Sequence, residues 1–391
     1  MNHAPLTRRQ MLARSGWIGC SLAASPLWTP LSLANAPWQG RLVVIILRGG
    51  MDGLDVVRPT GDPAFAALRP TLAKGDAPLD LDGYFAMHPA LKDLMPLWHR
   101  EELGFVHAVS TPYRDKRSHF DGQDLLEAGT QDLGGAGRDG WLNRLMQHLP
   151  QIEAETAYGI GQGTLNLLAG TAPVANWTPE AALDLSPQVL RLAEQIMQSD
   201  PQMHAALIEA QMLSDGRPGA VSTKKGPAHI QVARFAADRL RGPARIAAFS
   251  LNGWDTHRAQ ARMLPRSLGQ LSDVITTLKQ DLGAAIWSQT AVVALTEFGR
   301  TARENGTGGT DHGTAGLMMM AGGAIRGGRV FGRWPGLGEQ ALYQGRDLMP
   351  TDDVRAPVAW IMRGMTGLPI STLQDKVFPG LEMGADPKVV R

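Results

Sequence analysis

The chain has 391 residues, 38 Lys and Arg against 37 Asp and Glu, and a formal net charge of +1. It holds no basic block and no interleaving of basic and aromatic residues, which excludes nucleic acid as an expected partner. Its single cysteine, Cys20, excludes a disulfide framework.

Thr7-Arg8-Arg9-Gln10-Met11-Leu12 is a twin-arginine motif, followed by an apolar stretch from Gly16 to Leu33. The pattern predicts a signal peptide over residues 1–36, cleaved after Ala34 or Ala36. Pro37 directly after the second option favours the first. Such a signal implies passage through the twin-arginine translocase and a periplasmic or extracellular location. Cys20 lies within this segment, so the mature chain would carry no thiol nucleophile and no cysteine zinc site. Trp17 is a poor residue for a lipobox at Cys20. Removing the signal also removes Arg8, Arg9 and Arg14 but no acid, which takes the balance from +1 to −2. No other run approaches membrane-spanning length, so no permanent membrane span is expected. Residues 37–391 suffice for a single large α/β domain.

Leu42–Leu47 is a continuous β-branched apolar run, the mark of a strand buried on both faces in a parallel sheet. It breaks at a Gly-rich turn, Arg48–Leu54. Pro89–Trp98 has helical apolar spacing, and Gly104–Val109 reads as the next strand. A polar loop, Ser110–Arg117, leads to a helix ending near Ala128. Thr156–Ile160 is a further strand. A helical block covers about 178–242: Ser186-Pro187 and Asp200-Pro201 are helix starts, Gly216 closes the second helix, and Ile230–Leu240 is the third. Strand Ile246–Leu251, helix Ser267–Leu282 and strand Ala291–Leu295 then follow one another, a β-α-β order that implies parallel neighbours. Leu317–Ala321 and the short Val330–Phe331 complete the set. Ala302–Gly309, rich in Gly, Thr and Asn, reads as a mobile loop near the site.

Carboxylates and imidazoles gather at the strand ends, where open α/β sheets bind ligands. Asp255 and His257, two residues apart after Ile246–Leu251, make either a metal hook or a buried Asp–His hydrogen bond. Glu297 follows Ala291–Leu295 directly. A buried carboxylate there needs a metal or a cation such as Arg300. Asp311 and His312 precede Leu317–Ala321, between glycines that let the backbone approach a ligand. Asp52 sits in the turn after the first strand; Asp55 has the same chemistry, or starts a helix. Asp, Glu and His without Cys suit zinc, manganese or magnesium, as one or two ions. Ser118-His119 is the reactive pair at a helix start, where free amides favour an anion, and Arg117 is placed to hold one. Plain N-capping by Ser118 is the competing role. No phosphate loop ending in Gly-Lys-Ser/Thr, no Gly-x-Ser-x-Gly elbow and no His-Glu-x-x-His occurs, and Gly159–Gly163 lacks the dinucleotide spacing.

Leu47–Gly53, Arg117-Ser118-His119-Phe120-Asp121, Gly253-Trp254-Asp255-Thr256-His257, Thr296-Glu297-Phe298-Gly299-Arg300 and Asp311-His312-Gly313, with the twin-arginine start, resemble the domain-of-unknown-function family 1501. That family is grouped with the alkaline phosphatase and sulfatase superfamily. The resemblance implies a three-layer α/β sandwich with a mostly parallel central sheet and two metals beside a hydroxyl nucleophile. On that pattern Asp52, Asp255, His257, Glu297 and His312 resemble metal ligands, and Ser118 resembles the nucleophile. The sequence departs from it where Glu297-Phe298 stands for an Asp-His doublet. Asp311-His312 is the alternative doublet, which would leave Glu297 structural.

The reading is an exported metal-dependent hydrolase of phosphate or sulfate esters, with Ser118 attacking and Arg117 or Arg300 steadying the anion. Its partner would be a small anionic ester or a cell-envelope polymer. The competing class is a non-catalytic export-pathway or cell-envelope binding protein that keeps the fold. Replacing Arg8 and Arg9 together by Lys is expected to leave the protein in the cytoplasm. Fractionation that finds the double variant in the periplasm would show that the address is misread.

Overall fold

The computed structural model describes residues 38–75, 77–134, 139–161, 165–178 and 226–391. The twin-arginine segment and most of the 178–242 helical block lie outside them. Among the described residues, nine strands form one sheet: β1 (Arg41–Arg48), β2 (Leu103–Ser110), β3 (Ala157–Ile160), β4 (Ala175–Trp177), β5 (Ile246–Asn252), β6 (Thr290–Leu295), β7 (Gly316–Ala321), β8 (Val330–Phe331) and β9 (Asp352–Asp353). Their order is β8-β2-β7-β6-β1-β5-β3-β4, with β9 also paired to β2. Every pairing is parallel except the two made by β7, which runs against β2 and β6. The fold is therefore mixed α/β with a large, mostly parallel central sheet, the class the sequence predicts.

β1 is central because its apolar run is unbroken. Val43, Ile45 and Leu47 join the main core, and Leu42, Val44 and Ile46 are equally buried on the opposite face. Burial of each such side chain is worth about 1.5–3 kcal/mol. Two helices cover the first face. One is Ala228–Arg241, the described end of the expected helical block; the other is Gln260–Trp287. Leu264, Leu268, Leu271, Ile275 and Leu278 of the second helix recur at helical spacing and enter the same core. This helix starts at Gln260 rather than Ser267. Pro265 lies in the second turn of this longer helix. The helix expected over Pro89–Trp98 is a 3₁₀ segment, Pro89–Leu94, kinked at Leu91, followed by one α turn, Met95–His99. Pro96, lacking an N–H, limits the α portion. The strand Ala175–Trp177 and the helices Trp141–Gln147 and Arg355–Thr366 were not anticipated. Among the described residues no helix is long and apolar enough to cross a membrane.

The reversed β7 decides where the site forms. Its first residue pairs with Val109, near the end of β2. The segment entering β7 therefore lies at the same sheet edge as the segments leaving β1, β2, β5 and β6. Beside that edge, on β2, His107 is almost wholly buried. Its Nε2 lies 3.0 Å from the Val57 carbonyl, and its Nδ1 accepts from the Ala108 amide at 3.0 Å. The ring is thus the neutral Nε2–H tautomer, and burial pushes its pKa down from 6.5 to about 4.

His107 makes stability depend on pH. Between about pH 6.5 and 4 the unfolded chain takes up a proton that the folded ring refuses. The contribution is complete above the unfolded value and is lost as pH falls, by up to about 1.4 kcal/mol per pH unit. Urea unfolding of wild type and His107→Gln at pH 7, 6 and 5 is expected to show a shallower decline for the variant. Parallel declines would mean that His107 is not the group responsible.

Candidate metal centre

Five elements deliver the side chains. β1 leads into Gly49–Asp52, β5 into Gly253–His257, β6 into Thr296–Arg300, and Asp311–Gly313 precedes β7. β2 leads through residues 111–118 to the helix His119–Ala128, capped by Ser118. His119, Asp255 and His312 each offer a ligand atom, and those atoms lie within 4.8 Å of one another. Asp255 Oδ2 is 3.5 Å from His119 Nε2, and Asp255 Oδ1 is 3.4 Å from His312 Nε2 and 3.1 Å from His257 Nε2. His257 Nε2 and His312 Nε2 are 2.9 Å apart.

The outer nitrogens fix the tautomers. His119 Nδ1 meets a Glu297 carboxylate oxygen at 2.7 Å, His257 Nδ1 meets Asp311 Oδ1 at 3.2 Å, and His312 Nδ1 meets the Arg117 carbonyl at 2.8 Å. Carboxylates and carbonyls only accept, so each Nδ1 carries a proton, and each ring in its neutral form turns an Nε2 lone pair inward. Two of these lone pairs face each other at 2.9 Å, beside a carboxylate oxygen. The third, on His119, is buried without a hydrogen-bond partner. Imidazole nitrogens and a carboxylate oxygen so disposed form a donor set that could hold a divalent cation. Ligand atoms around a tetrahedral ion with bonds of about 2.0–2.2 Å lie roughly 3.3–3.6 Å apart. The separations of 3.4 and 3.5 Å to Asp255 fit that spacing, while those of 3.1 and 2.9 Å at His257 are shorter than it.

The support behind His119 is buried, whereas Asp311 behind His257 is exposed. Glu297 is fully buried; besides His119 it accepts from the Gly49 amide at 2.9 Å, Gln123 Nε2 at 3.1 Å and Thr296 Oγ1 at 3.0 Å. Burial alone would push its carboxyl up, but these hydrogen bonds, led by His119, hold it below the ordinary range. The same hydrogen bond raises the pKa of His119, and burial lowers that of His312. Asp255 is opposed by burial yet lowered, because Arg300 hydrogen-bonds its carboxylate. Two backbone features let the parts approach. Gly49 has φ +124°, and a Cβ there would sit 2.5 Å from the Asp255 amide. Arg117 takes φ 52°, a left-handed conformation unusual for an arginine. It is this residue whose carbonyl meets His312.

A family model described as Protein of unknown function (DUF1501) matches residues 108–354, more than half of the chain. The chain belongs to this family. All four side chains of the centre lie within the matched region; β1 and Asp52 precede it. No curated protein sequence matches significantly. Among solved structures, alkaline phosphatase from the Antarctic bacterium TAB5 aligns at TM-score 0.34 and 10% identity, over 73% of this chain and 92% of that one. A protein in the alkaline phosphatase superfamily from Vibrio parahaemolyticus aligns at 0.36 and 10%, over 76% and 64%. The C-terminal periplasmic domain of EcEptC from Escherichia coli, in complex with Zn, aligns at 0.33 and 11%, over 74% of each chain. At such scores the likeness assigns no activity here.

In this DUF1501 chain, Asp255, His257 and His312 converge. His119, expected as a partner of Ser118, joins them. Three expected ligands stand elsewhere. Glu297 and Asp311 lie behind His119 and His257 and accept from their outer nitrogens. Asp52 is fully buried in a two-pronged pair with Arg69, at 2.7 and 3.0 Å, and accepts from Gln260 at 2.6 Å. Those contacts occupy the carboxylate that a metal would need. Asp55 is likewise paired, with Arg58. Arg300, expected to steady an anion, is buried, and its donors go to the Gly49, Gly50, Trp254 and Thr310 carbonyls and to Asp255. Ser118 caps its helix through a 3.4 Å bond from the Asp121 amide. Arg117 reaches Asp347 at 3.5 Å and keeps its Nε unpartnered. The loop Ala302–Gly309, read as mobile, is tied down: Asn305 and Thr307 donate to the His257 carbonyl, and Gly308 accepts from the Gln260 amide. Sequence reasoning missed Arg69, Gln123 and Gln260, which sit in no local motif.

Glu297→Gln keeps the shape and removes the charge that orients His119. Loss of such an outer partner is expected to weaken metal affinity by about 10–100-fold. Chelator competition with zinc tests this, and equal affinities for variant and wild type would count against the assignment of His119 as a ligand.

Proposed function

We propose that the chain is a metal-dependent hydrolase of phosphate or sulfate esters that works outside the cytoplasm, with one divalent ion held by His119, Asp255, His257 and His312. What supports this reading is the convergence of three inward-turned Nε2 lone pairs on one carboxylate, each imidazole anchored at its far nitrogen. Three nitrogens and one oxygen suit zinc, and manganese after it, better than magnesium, which prefers oxygen. The pairing of Asp52 with Arg69 supports one ion rather than two, since the further carboxylate at this edge is already neutralised. Export rests on Arg8-Arg9.

A bound divalent ion supplies Lewis-acid chemistry toward an ester oxygen. The rest is the work of the chain. Asp255, His257 and Asp311 are half-exposed, so the centre opens to solvent and a small substrate can enter. The first-turn amides of the helix after Ser118 and the Arg117 guanidinium favour an anionic group. Ser118 Oγ, beside the ligand His119, is the attacking hydroxyl. Its capping contact is long and uses Oγ as acceptor, and the same hydroxyl also hydrogen-bonds the Tyr113 phenol, which would have to release it for attack.

Protein purified after native export is expected to carry one divalent ion per chain and to hydrolyse p-nitrophenyl phosphate or p-nitrophenyl sulfate. Ser118→Ala should abolish turnover with ion content and fold unchanged. If Ser118 only caps the helix, the change costs about 1 kcal/mol of stability and leaves activity alone. Wild type that binds its ion but turns over neither ester would sink the hydrolase reading and favour a binding role.

A further inference from the structure

Beneath the metal centre lies a fully buried amide that touches none of the four proposed ligands. Gln260 opens the long helix Gln260–Trp287. Its Nε2 donates to Asp52 Oδ2 at 2.6 Å and to Asp55 Oδ2 at 2.9 Å. Its Oε1 accepts from Thr256 Oγ1 at 2.9 Å and from Thr310 Oγ1 at 2.8 Å. The orientation of the amide is forced, because carboxylates cannot donate, and both its donors and both its acceptor sites are used. Thr256 stands between the ligands Asp255 and His257. Thr310 is two residues before His312 and next to Asp311, the partner of His257. The two segments also meet directly, the Thr310 amide donating to the Thr256 carbonyl at 3.2 Å.

We infer that Gln260 is a positioning residue that sets the separation of the two ligand-bearing segments and so tunes the affinity of the centre. A single carbonyl oxygen holds one hydroxyl from each segment, while the amide nitrogen is fixed to carboxylates anchored by Arg69 and Arg58. His257 Nε2 and His312 Nε2 face each other across that clamp. Small displacements there translate into ligand–ligand distances, to which metal sites are sensitive. The inference rests on the metal-centre reading and adds to it a residue that would never contact the ion.

The test uses the full chain, stripped with chelator, with zinc as the probe. Zinc affinity is read by competition with a chromophoric chelator, and ligand geometry by the visible spectrum of the cobalt(II)-loaded protein. Thermal unfolding of the metal-free protein is followed alongside. Gln260→Met and Thr310→Val are each expected to weaken zinc binding by about 10–100-fold and to alter the cobalt spectrum. Together they should fall short of the product of the single effects, because both remove one arrangement. Thr310→Ser, which keeps the hydroxyl, should restore affinity. If Gln260→Met does not fold, Thr256→Val removes one donor to Oε1 and should weaken zinc binding by about tenfold. Variants that unfold earlier when metal-free yet bind zinc as wild type does would overturn the inference and leave the metal centre standing. A wild type that binds no zinc would overturn the centre and this inference with it.

Discussion

One buried guanidinium ties together the chain segments that make the centre. Arg300 donates through Nε to the Gly50 carbonyl, through Nη1 to the Thr310 carbonyl, and through Nη2 to Gly49, Trp254 and Asp255. The residue follows β6, and its partners follow β1 and β5 or precede β7. A charge this deep is tolerated only when its donors are matched, and here backbone carbonyls do most of the matching. Those carbonyls are also the ones that turns at strand ends leave without sheet partners. The cation and the turns therefore solve one another's problem, and the geometry of Asp255 follows from it.

Seen this way, the positive charges at the sheet edge divide into layers. Arg69 and Arg58 neutralise Asp52 and Asp55 below, Arg300 fixes Asp255 in the middle, and the imidazoles point their lone pairs outward from Glu297, Asp311 and the Arg117 carbonyl. Among the carboxylates at this edge, Asp255 combines contact with all three inward imidazole nitrogens and an exposed side chain, 47% accessible. That carboxylate, through both its oxygens, and the three nitrogens are the donors a cation from solvent would meet. The deeper carboxylates, already hydrogen-bonded, gain little by moving.

The strands were legible because each is an uninterrupted apolar run that breaks at glycine or a charged residue. Ile246–Leu251 and Ala291–Leu295 needed one residue or less of adjustment at either end. That legibility put Asp255 and His257 just after one strand and His312 just before another; their shared edge follows from the reversal of β7, which the apolar pattern does not show. The roles of the remaining acids were not legible. Asp52, Glu297 and Asp311 all sit at strand ends, and a sequence shows that a carboxylate is there but not which cation or N–H faces it. Arg69 lies 17 residues from Asp52, and Gln260 lies 208. His119 is visible in the sequence beside Ser118, but only the position of Glu297, 2.7 Å from its Nδ1, shows that its Nε2 faces Asp255. The short β4 and the helix Trp141–Gln147 lack the length that makes a periodic pattern readable.

The reversed strand explains why His312 can belong to this group at all. In a wholly parallel sheet, a residue preceding a strand lies at the edge opposite to residues that follow strands. Because β7 runs against β6 and β2, the run Thr310–Gly313 reaches the shared edge, where His312 bridges to Arg300 just past the end of β6. Gly313 makes that contact close: a Cβ there would sit 2.4 Å from the carbonyl carbon of Arg300. The Gly313 amide donates to the Gly299 carbonyl, and the Thr301 amide to Asp311. The loop that carries His312 is thus stitched to the strand end that carries Glu297 and Arg300. A side chain at Gly313 would meet the Arg300 and Thr301 backbone within 3 Å, so the loop that carries His312 requires glycine there to lie against the strand end.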